Sequence, residues 1–114
     1  MTSFRPGEVI VVEFPFSDLF SGKRRPGVIL AADDVDLLVA RVTTRDPRDD
    51  FDVLLGDWSV VGLPRKSTVR IAKLLAIDSR LVQRSLGRLT SDDRRAVSAA
   101  ARRLGDSIAR NLAS

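Results

Sequence analysis

Residues 26–43, PGVILAADDVDLLVARVT, decide the fold. Two apolar runs rich in Val, Ile and Leu, 26–32 and 37–43, enclose a turn spanning Asp33 to Asp36. This pattern predicts two strands joined as a hairpin. In an antiparallel hairpin the start of one strand lies beside the end of the other. Positions 25 and 43 therefore meet at one rim.

Outward from the hairpin the same reading repeats. Residues 8–14, EVIVVEF, form a β-branched run opened by Pro6-Gly7 and predict a strand with Ile10, Val12 and Phe14 on one face and Val9 and Val11 on the other. Residues 15–25 read as a loop ending in three cations. On the other side, 44–50 is a charged loop broken by Pro47, and 51–55 predicts a fourth strand. Gly62 and Pro64 punctuate a longer loop. Residues 67–73 alternate, with Thr68, Arg70 and Ala72 opposite Val69 and Ile71, and predict a fifth strand with one buried face. Residues 78–85 suggest one short helical turn.

The last element is a helix. Thr90 or Ser91 can cap it, and Asp92 and Asp93 suit its positive end. Val97, Ala100, Leu104, Ile108 and Leu112 recur at helical spacing, which predicts a core-facing stripe. Arg94, Arg95, Arg102, Arg103 and Arg110 fall largely elsewhere. Five short strands and a terminal helix predict a mainly β (α+β) fold, a small barrel-like antiparallel sheet, as one domain over 1–114. Several strands are apolar on both faces, so a homodimer is expected to cover what the helix does not.

Composition bounds the chemistry. The chain has 114 residues, no His and no Cys. Zinc sites, cysteine nucleophiles and imidazole acid–base catalysis are thereby excluded. No run reaches the roughly 18 apolar residues that a membrane helix needs, and no signal peptide opens the chain, so a cytoplasmic protein without membrane contact is expected. The acidic runs Asp33-Asp34-Asp36 and Asp46-Asp49-Asp50-Asp52 sit in turns and read as solvated chain, so no metal and no cofactor are expected. The net charge of +4 divides into −4 over residues 1–60 and +8 over 61–114. A basic half suggests an anionic partner, nucleic acid first.

RNA can be cut without a metal when its own 2′-hydroxyl attacks the phosphorus. The protein must then supply donors to the phosphate oxygens and a proton for the leaving oxygen. A guanidinium suits the first task, and a threonine hydroxyl can add a donor. Arg25 and Thr43 offer that pair at the hairpin rim. Read from spacing alone, a solvated loop cation and an ordinary strand threonine are the better fit, since β-branched Thr is common in strands.

Here the residues resemble a known family. GEVIVVEFPFSDLFSGKRRPGVIL at 7–30, VTTR at 42–45, STVRIAKLLAID at 67–78 and GRL at 87–89 resemble, in order and spacing, the segments of the PemK/MazF toxins. The resemblance runs over roughly residues 6–105. It implies an SH3-like barrel with a C-terminal helix, a homodimer, a cognate antitoxin that folds across it, and metal-independent, sequence-selective cleavage of single-stranded RNA. It implies that Arg25 and Thr43 are catalytic: Arg25 clamps the phosphate and protonates the leaving oxygen, while Thr43 holds a phosphate oxygen. Ser67 is implied as a phosphate contact. Lys73 stands where relatives often carry Gln and would replace a base contact with a charge contact. Lys23, Arg24, Thr44, Arg45 and Arg48 flank the pair and are expected to hold the RNA backbone. Phe16, Phe20 and Trp58 can stack bases or pack. A non-catalytic nucleic-acid-binding barrel and a protein-interaction module are the competing expectations.

Overall fold

The computed structural model describes residues 3–13 and 24–114. Its strands are β1 (Glu8–Glu13), β2 (Arg24–Ala32), β3 (Asp36–Thr43), β4 (Asp52–Leu54), β5 (Thr68–Asp78) and β6 (Val82–Arg88), followed by helix α1 (Ser91–Ala113). They form one antiparallel sheet in the order β4-β5-β3-β2-β1-β6. The fold is thus mainly β with one C-terminal helix, as the sequence implies. Among the described residues the sheet does not close, and β4 and β6 are its two edges.

The hairpin at 24–43 forms as read. Its turn is fastened by Asp33, whose carboxylate accepts from the backbone N–H groups of Val35 (2.8 Å) and Asp36 (2.7 Å). Those two bonds, Asp36 first, hold the Asp33 carboxyl below the ordinary carboxylate range.

Two elements depart from expectation. The segment 78–85 turns helically only over Ser79–Leu81, and residues 82–88 then form a sixth strand along β1. Without it, β1 would present an unpaired edge. β5 runs past residue 73 to Asp78 because of an irregularity in its pairing with β3. Arg41 faces Arg70, whereas the next β3 residue, Ala40, faces Leu74. The extra residues reverse which side chains face which way, which hides the strand from a simple alternation count.

Both faces of the sheet are buried. Val9, Val28, Ala40, Val42, Val53, Val69 and Ile71 pack beneath α1 with Leu55, Val61, Leu63, Leu89, Val97 and Ala100. Trp58 packs against this core rather than standing free. Ile10, Val12, Ile29, Leu37, Val39 and Ile77 form a second core on the opposite face, flanked by Phe4, Leu75 and Val82. Leu75 and Ile77 at the end of β5 and Val82 at the start of β6 pack on this face, which is buried within one chain. Two-sided apolarity therefore does not by itself demand a second copy.

α1 is capped by Thr90, whose hydroxyl oxygen accepts from the Asp93 N–H. Asp93 itself is buried, and its two carboxylate oxygens accept from the N–H groups of Gly56 and Asp57, each at 2.9 Å. The helix start is thus tied to the loop that follows β4. The apolar stripe is core only as far as Leu104: Ile108 is 49% exposed and Leu112 81%. A 23-residue helix is about 35 Å long, more than the curled sheet can cover.

Candidate active site

Strand register assembles the site. β2 and β3 pair as Gly27 with Arg41, Val28 with Ala40 and Ile29 with Val39. Continuing that register by two residues sets Arg25 opposite Thr43. Thr43 in turn pairs with Thr68 of β5, and Arg41 with Arg70, which pairs with Asp52 of β4. Directly opposed residues share a face. One face therefore carries two adjacent rows: Arg25, Thr43 and Thr68, then Gly27, Arg41, Arg70 and Asp52. Further along that face in β3, Val39 and Leu37 belong to the second core. The site is the polar end of a face whose other end is apolar and buried.

Two hollows open beside these rows. One, of about 310 Å³, is lined by Arg25, Arg41, Thr43, Thr44, Arg45, Arg48, Arg70 and Lys73. Six of its eight lining residues are cations and none is acidic, so its field favours an anion. The other, of about 300 Å³, shares Arg25, Arg41, Thr43 and Thr44 and adds Arg24, Ser67 and Arg84 among apolar side chains that include Val11, Pro26, Leu63 and Leu86.

The hydrogen bonding shows which groups are available. The Arg25 Nε is buried and meets no acceptor among the described residues. An unmatched donor in a buried position is costly unless a ligand satisfies it. The Thr43 hydroxyl oxygen accepts from the Arg45 N–H at 3.2 Å, which leaves its proton to donate. The Ser67 hydroxyl instead donates to the Arg65 carbonyl at 2.7 Å and is nearly inaccessible, so its proton already has an acceptor. The Thr68 hydroxyl, fully buried across from Thr43, has no partner among the described residues.

Arg70 is held by two carboxylates, Asp52 at 3.0 Å and Asp49 at 3.3 Å. The Asp52 carboxyl lies below its ordinary range. Burial pushes it up, but the Arg48 N–H, the hydrogen bond and charge of Arg70, and the Asp49 N–H together outweigh that. The acidic run 46–52 thus serves ion pairs and turns, Asp46 pairing with Lys66 at 3.6 Å.

Of the residues singled out in the sequence, Arg25, Thr43, Thr44, Arg45, Arg48 and Lys73 come together around the cationic hollow, and Arg24 and Ser67 join the neighbouring one. Lys23, Phe14, Phe16 and Phe20 lie outside the described residues. Arg41, Arg70 and Arg84 were not singled out. Arg41 was legible by counting two residues back along the strand from Thr43. Arg70 was placed on the polar side of β5, but its meeting with Arg41 depends on a pairing that the sequence does not announce.

The family described as PemK-like, MazF-like toxin of type II toxin-antitoxin system matches residues 5–104. The fold is similar to that of the Mycobacterium tuberculosis toxin MazF-mt6, with a TM-score of 0.71 and 22% identity over 90% of this chain and 97% of that one. It is similar to MazE-MazF from Deinococcus radiodurans, with a TM-score of 0.70 and 19% identity over 91% and 96%. An endoribonuclease in complex with its cognate antitoxin, from Mycobacterial species, gives a TM-score of 0.71 and 15% identity over 87% and 91%. At these identities the likeness is one of fold. No curated protein matches.

Proposed function

Since this chain belongs to the PemK-like, MazF-like toxins of type II toxin-antitoxin systems, we propose that it is an endoribonuclease, acting as a single domain, that cuts single-stranded RNA at selected sequences without a metal. The observation that carries this reading is the row Arg25–Thr43 at the junction of two hollows, with a buried guanidinium nitrogen that meets no acceptor among the described residues.

The chemistry follows from the groups present. The RNA 2′-oxygen bonds to phosphorus as the bond to the 5′-oxygen breaks, leaving a 2′,3′-cyclic phosphate and a 5′-hydroxyl. Arg25 and the Thr43 hydroxyl donate to the phosphate oxygens, where negative charge grows. The leaving 5′-oxygen takes a proton from the Arg25 guanidinium, which water restores. The 2′-hydroxyl proton passes to water, since among the described residues no carboxylate lines either hollow. Arg24, Thr44, Arg45, Arg48 and Lys73 hold the flanking backbone. Ser67, with its proton engaged by the Arg65 carbonyl and its side chain nearly inaccessible, is not a phosphate donor on this reading.

The natural partners on this reading are a cognate antitoxin, which masks the cationic surface, and a second copy of the chain. The exposed Ile108 and Leu112 support the latter, since they extend an otherwise buried stripe.

The test is incubation of the purified protein with single-stranded RNA in EDTA. Cleavage to cyclic-phosphate ends that disappears in Arg25→Ala supports the proposal. Salt-sensitive binding that leaves the RNA intact points instead to a non-catalytic nucleic-acid-binding module.

A further inference from the structure

We propose that Arg41 is a second phosphate-binding residue, which grips the phosphodiester next to the scissile one. This rests on the ribonuclease reading and extends it to how the strand is laid across the site.

Arg41 stands one row from the Arg25–Thr43 pair, on the same face of the sheet. Residues 41 and 43, two apart on one strand, are about 7 Å apart. That spacing is comparable to the distance between consecutive phosphates of an extended single strand. Arg41 also lines both hollows, so a chain passing from one to the other crosses it.

Among the described residues its neighbours leave it free for a ligand. Across β2 it faces Gly27, which has no side chain. Across β5 it faces another cation, Arg70. Like charges directly opposed on neighbouring strands repel. The fold relieves only one of them: Asp52 and Asp49 neutralise Arg70, while no carboxylate among the described residues pairs with Arg41. Arg41 is half-buried, and among the described residues no hydrogen bond or ion pair engages its guanidinium. A fold optimised for stability would place a neutral or acidic side chain there. An anionic ligand supplies the missing partner. Because the rows adjoin, a phosphate on Arg41 fixes the register that brings its neighbour onto Arg25 and Thr43.

The assignment is tested with Arg41→Gln and Arg41→Lys. The probes are a random-sequence pool of single-stranded RNA and its all-2′-deoxy counterpart, which keeps the phosphates and lacks the nucleophile. Arg41→Gln is expected to weaken binding of the 2′-deoxy pool about tenfold at low salt. The slope of log affinity against log salt should become shallower by about 0.7, the share of one phosphate contact. With RNA, KM should rise while kcat stays near wild type. The melting temperature should stay near wild type, because Arg41 makes no ion pair among the described residues. Arg41→Lys should keep the wild-type salt slope.

Unchanged affinity and slope in Arg41→Gln, beside wild-type protein that cuts RNA, overturns the assignment of Arg41 and leaves the ribonuclease reading standing. A lowered melting temperature, or a loss of kcat with affinity intact, also overturns it, since Arg41 would then be a structural or a catalytic group. Wild-type protein that neither binds nor cuts RNA overturns the ribonuclease reading and the Arg41 assignment together.

Discussion

The guanidinium of Arg25 is the group on which the proposed chemistry depends, and its environment separates two kinds of substitution. An ammonium at this position keeps the charge and loses the planar fork that meets two phosphate oxygens at once. Arg25→Lys is therefore expected to lose at least about a hundredfold in kcat, the scale seen when one donor to a developing charge is removed. Its RNA affinity should fall much less. Single-turnover cleavage beside equilibrium binding checks this, and near-normal cleavage by Arg25→Lys would remove Arg25 from its role. Thr43→Val should lower kcat with little change in binding, because it deletes a donor without changing shape; equal losses in both would make Thr43 a binding group only. Asp52 gives the pH-dependent counterpart. Its carboxyl is held below the ordinary value in the folded chain. The stabilisation it contributes is therefore complete above its unfolded pKa of about 3.9 and is lost as pH falls through the lower folded value. Denaturation curves between roughly pH 5 and pH 2 should show stability falling with acid more steeply in wild type than in Asp52→Asn. Parallel falls would show that the Arg70 pair does not respond to acid through this carboxyl.

Among the elements, what the sequence revealed depended on whether pairing is local. The β2–β3 hairpin was readable because both strands and their turn lie within 24–43, and the same register fixed Arg25 opposite Thr43. β6 was not readable, because what makes 82–88 a strand is its distant partner β1, and its own residues, with Gly87 and two arginines, show little β preference. The far half of β5 was hidden by the irregularity near residues 71–73, which also carries Lys73 to the cationic hollow. The start of α1 was readable as a cap, but the tertiary role of Asp93 was not. Its carboxylate receives two N–H groups from residues 56 and 57, far along the chain. Asp93→Ala should leave both without an acceptor and remove a favourable charge from the helix start, costing about 2–4 kcal/mol. Chemical denaturation measures this. A loss below about 0.5 kcal/mol, the range of an ordinary surface change, would mean that water replaces the carboxylate and that the tie is dispensable.

At the scale of the whole molecule, one chain satisfies its own two cores and leaves apolar surface at the end of α1. The second core is covered within the chain, with Ile10, Ile29 and Val39 fully inaccessible. The second core therefore needs no second copy to be buried. The last turns of the helix offer one surface for association, where Ile108 and Leu112 continue the line of Val97, Ala100 and Leu104. Exposed singly, such side chains are ordinary. Aligned on one stripe that is core over its first half, they fit a surface completed by a second copy, and a small domain gains most from such burial. Wild-type protein is accordingly expected to be dimeric by light scattering at micromolar concentration. The paired substitution Ile108→Asp and Leu112→Asp should shift it to monomer. The fold should survive, because neither side chain belongs to either core, and far-ultraviolet circular dichroism would verify that. If the doubly substituted chain stays dimeric, association uses another surface, and the helix end is solvated stripe. If it becomes monomeric yet cuts RNA at the wild-type rate, the rows on β2, β3 and β5 work within one chain, and the dimer serves the antitoxin or stability rather than the chemistry.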